Sequence, residues 1–242
     1  MSTERELASG LLGGASVRLV RAVDGLRDDE WSAPSRLPGW TRAHVVAHLA
    51  LNAEGIARAL RSLTADGAED HPRTMYDSDE KRDSDIAELA TAVPGEIRDR
   101  FMAGTTILDE AVGSVPEDEW ETRIERTPGG RAIRADAFPG MRLRELEIHH
   151  VDLDTGYTPS DWSVRFAIHL LDAMSKRFHP PQRFEVRPLD VNRVWNFGPD
   201  GDGDHAPVVT GPAADLGWWL TGRPPPDTLH CSRGELPSIE GW

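Results

Sequence analysis

The 242-residue chain carries 27 basic against 41 acidic side chains, for a formal net charge of −14 and a pI near 5.0. Its basic residues form no run that could track a phosphate backbone, which excludes nucleic acid as a partner. A single cysteine, Cys231, excludes an intrachain disulfide and a thiolate-rich structural zinc site. No stretch approaches the roughly 18 apolar residues of a membrane span, and no basic segment leads into an apolar one at the N-terminus. The expectation is a cytoplasmic protein that meets no membrane, long enough for one large domain or two modest ones.

Thr3 and Glu6 have capping-box spacing, and Leu12, Ser16, Leu19, Val23 and Leu26 then recur at helical intervals, predicting a first amphipathic helix. A second helix is predicted from Arg42 to about Leu63, entered through Leu37-Pro38-Gly39-Trp40 with Thr41 as N-cap. Residues 64–79, with His71-Pro72, read as a polar loop; a short helix over 80–92 and a longer one over 94–112 follow. Thr127-Pro128-Gly129-Gly130 marks a turn, and a last helix of this half runs from about Pro139 to Leu153. Leu26-Arg27-Asp28-Asp29-Glu30-Trp31 is echoed by Val115-Pro116-Glu117-Asp118-Glu119-Trp120, each after a long helix. Two helical hairpins packed as a four-helix bundle account for this echo.

Beyond residue 157 the texture changes to a helix over 161–178, antiparallel strands at 184–187 and 191–197, a third at 208–211, and a helix over 213–222 stopped by Pro224. The fold class expected is therefore α+β, with a helical bundle over 1–157 and a smaller α/β domain over 158–242.

Glu145 and His149 are four apart, so on a helix they share a face and can hold one ion. Alone, the pair also reads as an exposed helix ion pair. His48, at the edge of the apolar stripe Val45, Leu49, Ile56 and Leu63, is the leading third ligand. Two imidazoles and one carboxylate form a catalytic zinc-type set with a coordination position left for water or a thiol. His44 pairs with His48 at i, i+4, but the intervening glutamate of H-E-x-x-H is absent, so a zinc peptidase is disfavoured and His44 reads as a supporting or surface residue. His150 points some 100 degrees from the Glu145 face. Asp200-Gly201-Asp202-Gly203-Asp204 lacks the turn glycine and bidentate glutamate of a calcium loop. Arg223, on its own, reads first as a cation at a helix C-terminus, and Cys231 as an incidental residue of a polar tail.

Leu37-Pro38-Gly39-Trp40-Thr41-Arg42-Ala43-His44-Val45-Val46-Ala47-His48-Leu49-Ala50 with Asn52, then Met75-Tyr76, Arg144-Glu145, Ile148-His149, Val151-Asp152-Leu153, Gly211-Pro212, Asp215-Leu216 and Gly222-Arg223, resemble the mycothiol-dependent maleylpyruvate isomerase family. The resemblance implies a DinB-like four-helix bundle and a small α/β C-terminal domain that contributes to the active-site cleft. It implies a metal, usually zinc, on His48, Glu145 and His149, and an Arg223 needed for activity. Asn52 and Arg82 match polar positions near the cleft and are expected on the cofactor side. The implied reaction is cis–trans isomerisation of maleylpyruvate to fumarylpyruvate through addition and loss of a metal-activated mycothiol thiolate. Its alternative is a mycothiol S-transferase that stops after addition to, or displacement on, an electrophilic small molecule. A non-enzymatic metal-binding or regulatory bundle is a third reading, disfavoured by an open three-ligand site.

Overall fold

The computed structural model describes residues 3–64, 73–199 and 206–239; His71-Pro72 and the acidic loop 200–204 fall outside them. The chain divides into two compact units, Met1–Gly156 and Tyr157–Trp242.

Four long helices build the first unit: α1 (Thr3–Asp24), α2 (Arg42–Arg61), α4 (Pro94–Ser114) and α5 (Phe138–Asp152), with the shorter α3 (Asp79–Leu89) between. Helix α1 buries Ala8, Leu12, Ala15, Leu19 and Val23. Ala15 takes the inward position expected for Ser16, whose hydroxyl stays half-buried and so avoids desolvation. Helix α2 begins where Thr41, in extended conformation, accepts a hydrogen bond from the His44 backbone N–H at 3.5 Å. The His44 ring returns the bond, its Nδ1 accepting from the Thr41 backbone N–H at 3.3 Å, which makes His44 the reciprocal member of a capping box.

Helix α2 is buried on almost every side and packs chiefly on α4, while α1 packs on α5 and α2 also meets α5. Gly104 lets α2 and α4 approach closely, since a Cβ there would lie 3.3 Å from the Ala50 carbonyl oxygen and 3.4 Å from the Ala53 Cβ. The repeated Asp-Asp-Glu-Trp and Glu-Asp-Glu-Trp segments both form 3₁₀ turns after long helices. Each buries its tryptophan under an arginine: Arg98 lies 5.6 Å over Trp31, and Arg5 lies 4.6 Å over Trp120.

The turn at 127–130 joins a hairpin not expected from sequence, β1 (Arg123–Glu125) paired with β2 (Ala132–Arg134). Three-residue strands are too short to show an alternating period.

The second unit sets α6 (Val164–Arg177) and α7 (Ala213–Leu220) with a four-stranded sheet in the order β4-β3-β5-β6. Its strands are β3 (Phe184–Pro188), β4 (Trp195–Phe197), β5 (Val208–Gly211) and β6 (His230–Cys231). β3 and β4 are antiparallel as expected, but β5 joins β3 in parallel, so the sheet is mixed. β4 starts later than predicted because the chain bends through 189–192, closed by an Arg193 N–H to Val191 carbonyl bond of 2.9 Å. Cys231 belongs to no free tail; it pairs with Val209 on the outer strand.

Candidate metal centre

His48 stands on α2, and Glu145 and His149 stand one turn apart on α5, so the closest ligand pair spans 97 residues of sequence. The His48 Nε2 lies 2.8 Å from Glu145 Oε2, and His149 Nε2 lies 3.3 Å from the same oxygen. One donor atom from each falls within 4.8 Å of the others. Ligands of one tetrahedral zinc at the usual bond lengths stand about 3.3 Å apart, so this donor set suits such an ion with little rearrangement. The imidazoles meet edge to face with centroids 4.7 Å apart, and the Trp40 ring closes on His48 at 5.7 Å.

The surrounding groups hold each ligand. Asp152, fully buried, places Oδ2 at 2.9 Å from His149 Nδ1, which orients the ring so that Nε2 faces Glu145. One turn from the ligands a second polar rung crosses the helices: Arg142 Nη1 donates to Asn52 Oδ1 at 2.9 Å and to the Leu49 carbonyl at 2.8 Å. Moving forward from His48 to Asn52 moves back from Glu145 to Arg142, so α2 and α5 run antiparallel here. Arg82 Nη2 approaches His48 Nδ1 at 3.4 Å while its Nη1 pairs with Asp83 at 2.8 Å.

Burial pushes the His48 imidazole down to about 4 against the pull of Glu145, leaving it neutral at pH 7, the form a metal needs. Burial alone would raise Glu145, but hydrogen bonds from His149 and His48 hold it well below the ordinary carboxylate range. His149 is also opposed by burial, yet Asp152 and Glu145 raise it above its ordinary value. Beside this cluster a cavity of about 200 Å³ is lined by Gly55, Arg58, Tyr76, Lys81 and Arg82.

Of the residues singled out from sequence, His48, Glu145 and His149 converge and Arg82 touches His48. Asn52 is buried, its carbonyl oxygen occupied by Arg142. His44 serves the α2 cap, and His150 is buried outside the ligand cluster. Arg223 lies in the second unit, also buried, where Nη1 donates to the Thr221 carbonyl at 3.1 Å and the guanidinium lies 5.7 Å over the Trp218 ring. Sequence reasoning gave Asp152, Arg142 and Tyr76 no role. His149-x-x-Asp152 was a usable signal, since residues three apart share a helix face.

The chain belongs to the mycothiol maleylpyruvate isomerase family: the N-terminal domain of that family matches residues 12–154, and the MDMPI C-terminal domain matches residues 161–240. It is similar over 100% of both chains to a solved structure of the mycothiol-dependent maleylpyruvate isomerase, with 26% identity and a TM-score of 0.87. A histidine-to-alanine mutant of that isomerase gives the same 26% identity, TM-score of 0.87 and full coverage. No curated protein sequence matches.

Proposed function

We propose that the chain is a mycothiol-dependent isomerase that converts maleylpyruvate to fumarylpyruvate in the cytoplasm, with small molecules as its partners. The observation that carries this reading is the convergence of His48, Glu145 and His149 in a chain whose two halves both match that family. No helix among the described residues is long and apolar enough to cross a membrane.

His48, Glu145 and His149 would hold a divalent metal, zinc by the chemistry of two neutral imidazoles and a carboxylate. When bound, that ion supplies a Lewis acid that favours the thiolate form, and mycothiol supplies a sulfur nucleophile absent from the first unit, whose described residues include no cysteine. Asp152 keeps the His149 ring turned with Nε2 toward the ligand cluster. Glu145, held anionic, limits the charge of a divalent site to about +1, which still favours an incoming anion. Arg82 is proposed on the cofactor side, where its guanidinium borders the cavity beside His48. Arg223 is proposed as the bidentate partner of a substrate carboxylate, on the strength of the Gly222-Arg223 resemblance.

The test is a thiol titration run beside product analysis. Catalytic amounts of mycothiol should convert maleylpyruvate to fumarylpyruvate with no net loss of free thiol, and Cys231→Ser should turn over at the same rate. Stoichiometric thiol consumption with another electrophile, and none of the isomerisation, would make the chain an S-transferase instead.

A further inference from the structure

The two helices that carry the metal ligands are not each other's main packing partners. Helix α2 packs chiefly on α4 and α5 chiefly on α1, yet the site needs His48 of α2 within one ion's reach of Glu145 and His149 of α5. Side-chain ties between α2 and α5 therefore bear on the site directly. The Arg142 rung is one of them, reaching Leu49 and Asn52 beyond His48. On the other side of the ligands stands Arg42.

Arg42 is the first residue of α2, less than two turns before His48. A cation there opposes the dipole of its own helix, and the first turn of α2 holds no acidic residue to offset it. The guanidinium turns instead to the end of α5, just over one turn past His149. Its Nε donates to the Leu153 carbonyl at 2.8 Å and its Nη2 to the Asp154 carbonyl at 2.7 Å. The last carbonyls of a helix lack partners within it, and a cation suits that negative end of the dipole. Its ion pair with Glu30 is looser, at 3.9 Å.

The chain at this contact is held in an unfavourable shape. Asp154 has a φ of 55°, the left-handed region that a non-glycine residue seldom adopts. Arg42 holds its carbonyl and the Arg36 guanidinium its carboxylate, at 2.9 Å, while the Arg36 backbone N–H donates to the Asp152 carbonyl at 2.8 Å. Asp152 is the residue that orients the His149 ring. The segment leading into α2 thus grips the end of α5 at three successive residues, Asp152, Leu153 and Asp154.

We propose that Arg42 is a positioning residue of the metal centre: it fixes the spacing of α2 and α5, and through it the distance from His48 to Glu145 and His149. The proposal rests on the reading of those three residues as metal ligands. A binding constellation works only when its groups are held within about 0.5 Å of the productive geometry, so a tie that sets helix spacing sets metal affinity as well as stability.

The test is zinc affinity by chelator competition, measured on folded protein. Arg42→Met keeps the stem and removes both bonds, and should weaken zinc binding about tenfold or more. The control is Arg100→Met, which also removes two guanidinium bonds to α2, those to Glu54 at 2.7 and 2.9 Å. Glu54 stands as far along α2 from His48 as Arg42 does, but Arg100 belongs to α4, which carries no metal ligand. Its zinc affinity should stay within about twofold of wild type. Cobalt(II) gives a second readout, since its visible d–d bands report ligand geometry; they should change in Arg42→Met and match wild type in Arg100→Met.

A merely structural Arg42 predicts a lower melting temperature with zinc affinity and cobalt bands unchanged, and that result would overturn the proposal, as would equal zinc loss in Arg100→Met. If Arg42→Met does not fold, Arg42→Lys decides: its ammonium replaces the two-pronged fork with a single point of contact, so zinc affinity should fall about threefold, and an unchanged value would again overturn the proposal. A wild-type protein that binds no zinc would instead overturn the metal reading beneath it.

Discussion

His149 meets a carboxylate at each ring nitrogen, Asp152 at Nδ1 and Glu145 at Nε2, whereas His48 meets Glu145 at one nitrogen and a cation, Arg82, near the other. His48→Ala and His149→Ala should therefore lose most bound metal by elemental analysis, while His44→Ala, whose ring caps α2, should retain it; equal loss in His44→Ala would mean a different ligand set. Asp152→Asn keeps the shape but weakens the hold on the ring, and should cost about 10–100-fold in metal affinity by chelator competition. Arg223 is buried against Trp218, so Arg223→Met, which preserves the packed stem, is the informative variant. It should cost about 1–2 kcal/mol in a urea melt yet lower turnover by orders of magnitude; intact turnover would reduce Arg223 to a helix cap. The ligand triad was legible because an i, i+4 pair on one helix and an imidazole on an apolar stripe both leave marks in sequence. The Arg142 to Asn52 bond was not, because its partners are 90 residues apart and neither is an unusual residue where it stands.

Between helices, the backbones of α4 and α2 approach closely where Gly104 faces Ala50 and Ala53 of α2, the helix that carries His48. Gly104→Val should push these helices apart and cost about 1–3 kcal/mol by denaturant unfolding. Gly13→Ala, in open space on α1, should raise stability by roughly 0.5–1 kcal/mol in the same assay. A stabilising Gly104→Val would mean the contact is looser than it looks. Element boundaries followed their signals closely: Thr41 starts α2, and the apolar periods locate α1, α4 and α5. What escaped were short or non-local pairings. β1, β2 and β6 are two or three residues long, and the parallel β3–β5 pairing depends on the chain passing through β4 first. No local pattern encodes such a partner.

Taken whole, the first unit has an apolar core running from Ala53 and Leu60 to Trp120, Ile124 and Phe138, independent of any ion. The site's own groups also satisfy one another, through the His48–Glu145 and His149–Asp152 bonds. Removing metal should therefore leave a folded, helical protein, unlike a zinc finger. Adding zinc back at a hundredfold excess over Kd should restore about 2.7 kcal/mol, or about 5–10 °C in Tm at roughly 2–4 °C per kcal/mol for a chain of this size. Loss of helical circular dichroism on chelation would contradict this.

The Arg142 rung has an evolutionary reading as well. Its two residues, Arg142 and Asn52, are tied to each other: without the amide oxygen a buried guanidinium loses an acceptor, and without the guanidinium a buried amide oxygen loses its donor. Selection therefore sees the pair and not either residue alone. Sister chains that have replaced one of the two should have replaced the other as well, so positions 52 and 142 should co-vary although 90 residues separate them.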